Sequence, residues 1–298
     1  MAAFAYSARP SKAVQRHMVV DVCRRLIAFN QLKSYQYVGF GGIEFIDFEM
    51  VHRGLGITTM TSIESDRSID RYRFNAPFKA ITVLPGRACD QLPSLDWDRP
   101  SIVWLDYVSR LNEEVISDIR LLCGRLMSGS ALFVTVNCHP LNLLQDRLED
   151  LARMIGEDRV PPGVSNDSLA VWGLAEVQGR VMSDLITAGL RERTTPARWA
   201  QVLDIYYADN AKMQTLGGIV VSREDQEKFE TCRFEELDFV RLQRGAPLKV
   251  RVPLLTAKER RALEEQLPLA SGQELKADWL SEADRSAYMQ VYRYCATP

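Results

Sequence analysis

From residue 35 to residue 137 the chain alternates short apolar strand segments with helical ones about every 20 to 30 residues, and that rhythm admits few folds. "YQYVGFGG" is a strand running into glycines, and a helical stretch from about Glu44 to Arg53 follows, closed by the glycines at Gly54 and Gly56. "TTMTSIESD" is rich in β-branched residues and ends in acids, and "AITVLPG" is a third strand. "PSIVWLDY" is apolar enough to be buried on both faces, as central parallel strands are. "NEEVISDIRLLCGRLM" is an amphipathic helix stopped by Ser128-Gly129, and "SALFVTVN" is a fifth strand. Ahead of them, Val14, Met18, Val22, Leu26 and Phe29 recur at helical spacing and predict a helix from Ser11, as N-cap, to Phe29. The expected fold is α/β, a doubly wound and mostly parallel sheet.

After Asn137 the rhythm changes. Residues 141–156 and 168–192 read as helices separated by the breaker cluster "VPPGVSND". "WAQVLDIYYADNAKMQTLGGIVVS" then reads as two strands joined by a turn at Asp209-Asn210, a hairpin that brings the sheet to seven strands. The expected division is a core over residues 1–222, with a helical insertion at about 141–192, and an extension over 223–298 packed on it. The extension holds "CRFEELDFV", "PLKVRVPLL", a helix opened by the capping box Thr256 and Glu259, and a last helix near "SEADRSAYMQVYRYC".

Composition excludes some functions. Formal net charge is −2, so no global basic field recruits nucleic acid or an anionic membrane. No apolar run reaches membrane-spanning length, and the first residues carry no secretion-type apolar segment. The six cysteines lie far apart, with no CxxC pair, and read as reduced core thiols. The expected location is the cytoplasm.

The chemistry gathers where the strands end. Gly39-x-Gly41-Gly42 lets backbone pass close to a ligand and presents the next helix to it. Glu64 follows Gly41 by 23 positions, at the tip of the neighbouring strand, where a carboxylate can accept two hydrogen bonds from a ribose diol. Turn and acid together point to a nucleoside ligand. A dinucleotide fingerprint needs a small residue where this chain has Glu44, which argues against NAD. The hairpin argues the same way: it suits the sheet of S-adenosylmethionine (SAM) methyltransferases, which closes with an antiparallel strand inserted beside the fifth. Asp106 ends the fourth strand, where open α/β sheets bind ligands; its alternative is to cap the next helix, a role open also to Asn112. A side chain on Gly41 is expected to collide with bound SAM.

Other candidates are weaker. His139, after the fifth strand, is a candidate general base, whereas His17 and His52 lie in helical stretches where packing or solvent is the usual role. Asp106 and Asn137 fill two places of an oxygen-ligated Mg²⁺ site, but Cys138 follows and no Asp precedes, so no metal is expected. No (D/N/S)PP(Y/F) motif and no Pro-Cys pair is present, which disfavours methylation of DNA bases.

The segments "YVGFGGIEFIDFEMVHRGLGI", "SIESD", "RFNAPFKAI", "LPSLDW", "IVWLDY", "GSALFVTVN", "MQTLGGIV" and "VPLLTAKERRALEEQLP" occur in an order that resembles the bacterial family of putative O-methyltransferases, over residues 12–268. The resemblance implies a SAM-binding fold with methyl transfer to an unidentified oxygen, Gly39, Gly41 and Gly42 beside the methionine and ribose of SAM, and Glu64 on its ribose. It implies that Asp106 accepts from the SAM amino group or orients substrate. Some members sit in multi-gene defence cassettes, which implies a protein partner. Two departures stand out. Val108-Ser109-Arg110 replaces a further acid and small turn after "LDY", and Arg87 stands where an acid would hold the adenine amino group, with Asp90 the nearest substitute. They leave open a second reading, a SAM-binding scaffold with weakened catalysis acting through a partner. An NAD(P)-dependent oxidoreductase is the third.

Overall fold

The computed structural model describes residues 9–141, 143–242, 245–270 and 272–295. Helix α1 (Pro10–Arg25) leads into β1 (Gln36–Gly39), and α2 (Ile46–Leu55), β2 (Thr59–Glu64), α3 (Ile69–Asn75), β3 (Ile81–Pro85) and the short α4 (Ala88–Gln91) follow. Next come β4 (Ser101–Asp106), α5 (Glu113–Arg125), β5 (Ala131–Asn137), α6 (Arg147–Ile155) and α7 (Gly173–Arg191). The hairpin β6 (Ala197–Ala208) and β7 (Lys212–Ser222) leads to α8 (Gln226–Thr231), β8 (Leu248–Val250), α9 (Ala257–Glu264) and α10 (Glu282–Val291).

All eight strands form one sheet in the order β3-β2-β1-β4-β5-β7-β6-β8. β1 to β5 pair in parallel; β7 enters antiparallel between β5 and β6, and β8 pairs parallel with β6. The doubly wound architecture is therefore as expected, with one strand more than the predicted seven. The extra strand, from "PLKV", is only three residues long, and what makes it a strand is the ladder beside it: Leu248 and Val250 point into the core while Lys249 faces out.

The two-residue period of the strands divides the core between the faces. Ile102, Trp104, Ala131 and Phe133 join α1, α2 and the last helices on one side; Val103, Leu105, Leu132 and Val134 join α5, α6 and α7 on the other. Each such fully buried side chain contributes roughly 1.5–3 kcal/mol. The C-terminal segment is stitched into the first layer by Phe234, Phe239, Val291 and Tyr294, and a satellite cluster forms around Leu263, Leu275, Ala277 and Tyr288. The predicted capping box at Thr256 and Glu259 is formed.

Three element boundaries move for physical reasons. α2 begins at Ile46 because Phe45 adopts a left-handed backbone, φ 51°, and it runs through Gly54 to Leu55, with Gly56, φ 72°, the one of the two glycines that closes it. α1 stops at Arg25, and residues Leu26–Ala28 tighten into a 3₁₀ turn. Ser11 lies inside α1 and caps nothing. The open N–H groups of Ser11 and Lys12 instead donate to the two carboxylate oxygens of Asp209, at 3.1 and 3.0 Å, so the β6–β7 turn caps the first helix.

That cap has a measurable consequence. Asp209→Ala should lower unfolding free energy by about 1–2 kcal/mol in urea titrations. An unchanged midpoint would mean that the hairpin does not hold the start of α1.

Candidate functional site

The order of strands reverses at β1, whose neighbours are β2 and β4, and open α/β sheets take ligands above the carboxyl ends at such a switch point. Gly39 ends β1, Glu64 ends β2, Asp106 ends β4 and Asn137 ends β5, so the sheet gathers these residues at one edge.

Around β1 the turn is tied to Glu64. Its Oε1 accepts from the Gly41 N–H at 2.8 Å and from Ser62 Oγ at 2.6 Å. Ser62 Oγ also accepts from the Gly41 N–H at 2.9 Å, and the turn after β3 joins in as the Gly86 N–H donates to the Glu64 carbonyl. Burial pushes the Glu64 carboxyl above its ordinary value, and hydrogen bonds from Ser62, Gly41 and Gly42 oppose the shift. Gly42 has φ 56° and takes the bend that side chains resist.

Gly41 serves the protein before it serves a ligand. A Cβ built there would lie 2.5 Å from the Phe45 ring and 2.8 Å from Ser62 Oγ. The expectation that a side chain at 41 meets only bound SAM is corrected accordingly: the collision is with the buried ring that the left-handed Phe45 turns inward.

The end of β4 holds a group that sequence patterning missed. Lys12, from the first turn of α1, places its ammonium 2.8 Å from Asp106 Oδ2, with the lysine 4% and the aspartate 22% exposed. The same ammonium lies over the rings of Trp104 and Tyr207, 5.1 and 5.5 Å from their centroids. Burial lowers the Lys12 pKa from its ordinary 10.5, and the Asp106 and Asp47 carboxylates oppose the shift. Asp106 does not cap the next helix; Asn112 does, its Oδ1 accepting from the Val115 N–H at 3.0 Å.

Beside this pair is a cavity of about 270 Å³, lined by Lys12, Asp106, Tyr107, Val108, Asn137, Tyr207 and the β6–β7 turn among others. Its walls come from distant parts of the chain that α7 ties together. Gln178 is buried; it accepts from the Leu111 N–H at 2.8 Å and donates to the Asn137 carbonyl at 3.1 Å, locking the loops after β4 and β5.

The remaining candidates lie elsewhere. His139 is exposed and does not line the cavity; its N–H donates to Asn137 Oδ1 and its carbonyl accepts from Arg110. Asp90 is exposed on α4, ion-paired with Arg87 at 3.3 Å, which holds its carboxyl below the ordinary range. His17 is exposed, and His52 Nδ1 sits 2.8 Å from the Ile57 carbonyl, both as expected of helical histidines. Among the described residues no group of His, Cys, Asp and Glu is arranged to hold a metal. Among the described residues no helix is long and apolar enough to cross a membrane.

Tyr107 lines the cavity and is also tied to α5. Its ring meets Phe40 edge-on at 5.2 Å, and its hydroxyl donates to Asp118 of α5 at 2.6 Å. Burial pushes the Asp118 carboxyl up to about 6. Its folded pKa exceeds its unfolded one, so its contribution to stability is full below pH 3.8 and is lost as pH rises through about 6. Asp118→Asn keeps an acceptor for Tyr107 and should exceed wild-type stability by about 1–3 kcal/mol above pH 6, the gap closing towards pH 4. A pH-independent difference in unfolding free energy would refute this. At the glycine turn, Gly41→Val should destabilise the ligand-free protein by about 1–3 kcal/mol, read as a lower melting temperature.

Comparison with known proteins follows the geometry. Human N-acetylserotonin methyltransferase in complex with SAM is 13% identical, with a TM-score of 0.38 over 67% of this chain and 52% of that one; the chain thus spans about half its length. The O-methyltransferase TomG from Streptomyces achromogenes, involved in tomaymycin synthesis and in complex with SAM, is 16% identical with a TM-score of 0.38, over 71% of this chain and 89% of that one. Magnesium protoporphyrin IX methyltransferase from Synechocystis PCC 6803, with bound S-adenosylhomocysteine (SAH), is 11% identical with a TM-score of 0.43, over 74% and 89%. No curated protein matches in sequence. The family model described as "Putative O-methyltransferase" matches residues 4–297, and the chain belongs to that family.

Proposed function

We propose that the protein binds SAM in the crevice above β1 and β4 and transfers its methyl group to a substrate oxygen held in the cavity beside Asp106. The observation that carries this reading is the reversed β7 between β5 and β6, on a sheet whose switch point faces a glycine turn and a carboxylate. Family membership supports it.

The residues present suit the group. A carboxylate has about four lone-pair sites. Glu64 accepts from Gly41, Gly42 and Ser62 and is held in place by them, which leaves about one site to accept from a ribose hydroxyl. A dinucleotide suits the site less well. Its diphosphate would meet the N-terminus of α2, where the first turn carries Asp47 and Glu49, and carboxylates there repel an anion.

When bound, SAM supplies an electrophilic methyl group. The chain supplies position: Gly39, Gly41 and Gly42 keep the crevice open to a close backbone approach, and Glu64 orients the sugar. Asp106 presents a carboxylate to the substrate hydroxyl, and the cavity walls confine that hydroxyl near the crevice, contributing chiefly by proximity. Asp90 stays outside this reading because it is exposed and engaged by Arg87, and His139 because it stands off the cavity.

Calorimetric titration of the purified chain with SAM, SAH and NAD tests the assignment. SAM and SAH should bind and NAD should not. Glu64→Gln keeps an acceptor for Gly41 but removes the charge, and should weaken SAM about tenfold, or 1.4 kcal/mol. Binding of NAD in preference to SAM, or an unaltered SAM affinity in the Gln variant, overturns it.

A further inference from the structure

Lys12 is unusual in three ways at once: its ammonium nitrogen is sealed from solvent, its only ion-pair partner among the described residues is Asp106, and its shell is otherwise two aromatic faces. A lysine whose role was to tie α1 to the sheet would not need its ammonium sealed against Asp106, one of two carboxylates lining the cavity; the other, Asp209, is taken up by the open N–H groups of α1. Gln15, which donates to Thr215 Oγ1 at 3.1 Å, already makes that connection, and Arg16, paired with Asp47, ties α1 to α2.

Resting on the SAM reading, we infer that Lys12 is the proton store of the site, acting through Asp106: it releases its proton as a sulfonium enters the crevice, then receives the substrate's proton by way of the Asp106 carboxylate. The charges explain why. With the crevice empty, the ammonium and the Asp106 carboxylate cancel. A sulfonium adds a second cation to one carboxylate in a poorly hydrated site, and like charges that share a counterion favour loss of the proton that can leave. The other charged and titratable groups around Lys12 are Arg9 and Asp209, which line the same cavity, Arg16 on its own helix, Asp47 on α2 and Tyr207 on β6. Only lysine among these combines direct contact with Asp106 and an ammonium already strained by burial.

The transfer balances. The substrate oxygen forms a bond to the methyl carbon, the sulfur–carbon bond breaks with its electron pair left on sulfur, and the hydroxyl proton passes to the Asp106 carboxylate and on from that carboxyl group to the free amine of Lys12. Lys12 ends as ammonium beside a neutral thioether, the charge state of the resting pair. Asp106 touches the substrate; Lys12 is a positioning residue behind it. Such a store serves a nucleophile that arrives protonated, so the substrate class is an alcohol or phenol, because a carboxylic acid would arrive already ionised.

Proton linkage tests this independently of turnover. The whole chain is titrated with SAM and with SAH between about pH 6 and pH 10, in buffers of different ionisation enthalpy. SAM should release up to one proton more than SAH, and its affinity should climb with pH, by at most about tenfold per unit, where that of SAH does not. SAH shares the amino acid and nucleoside of SAM, so the difference isolates the sulfonium. Lys12→Arg keeps the cation and the pair with Asp106 but retains its proton, and should bind SAM without the extra release. SAM binding with no excess release across the range, or the same excess in the Arg variant, overturns the inference and leaves the SAM reading standing. Failure of SAM to bind wild type overturns both.

Discussion

The structure depends on a polar stripe buried where an apolar one would be ordinary. Lys12, Gln15 and Arg16 lie on successive turns of α1 and are all nearly or wholly sealed. Each meets a different element: Lys12 the end of β4, Gln15 the β7 threonine, Arg16 the Asp47 carboxylate of α2. Thr215 passes the connection to Thr135 of β5 at 2.8 Å, and Thr135 accepts from the Trp104 indole at 3.0 Å. Buried ion pairs add little net stability, yet removing one partner commonly costs 3–5 kcal/mol, so such pairs fix geometry more than they add strength. Here the geometry they fix is the register of α1 over the strand ends that make the site.

That register explains how one edge of the sheet carries the functional groups. The glycine turn is held from β2 by Glu64 and Ser62, the loops after β4 and β5 are held from α7 by Gln178, and the β6–β7 turn is held against α1 by Asp209. The first two anchors are side chains of neighbouring elements and the third belongs to the turn itself, so the loops at this edge keep their positions through a network of satisfied polar groups. The switch point between β1 and β4 then has a carboxylate on either side of it, Glu64 at the end of β2 and Asp106 at the end of β4.

The architecture was legible because strand and helix periods are local. "PSIVWLDY" and "SALFVTVN" could only be central strands, and the Asp209-Asn210 turn announced a hairpin. The short β8 escaped because three residues carry no period and depend on β6 for pairing. Glu64 and Asp106 were readable as strand-end acids. Lys12 was not, since the helical pattern assigned Val14, Met18 and Val22 to the core and so left the polar stripe to solvent; the stripe is buried because Asp47, Asp106 and Thr215 meet it from far along the chain. Ser11 failed as a cap for the same reason: the competing acceptor, Asp209, is invisible to a local reading. His139 drew attention by following β5, but its carbonyl and N–H are what the fold uses.

The span of these contacts sets an order of assembly. Ser11, Lys12 and Gln15 reach partners 198, 197 and 200 residues downstream. During synthesis β1 to β5 can pair while α1 still lacks its cap and its threonine anchor, because the hairpin that supplies both has not left the ribosome. Contacts of such sequence separation form late and close the largest loops. Helix α1, made before the sheet it packs on, is therefore among the last elements to be seated, and a nascent or prematurely ended chain that already contains Gly41, Glu64 and Asp106 has no finished pocket to offer a reactive sulfonium. Competence for chemistry arrives only with the far end of the sheet.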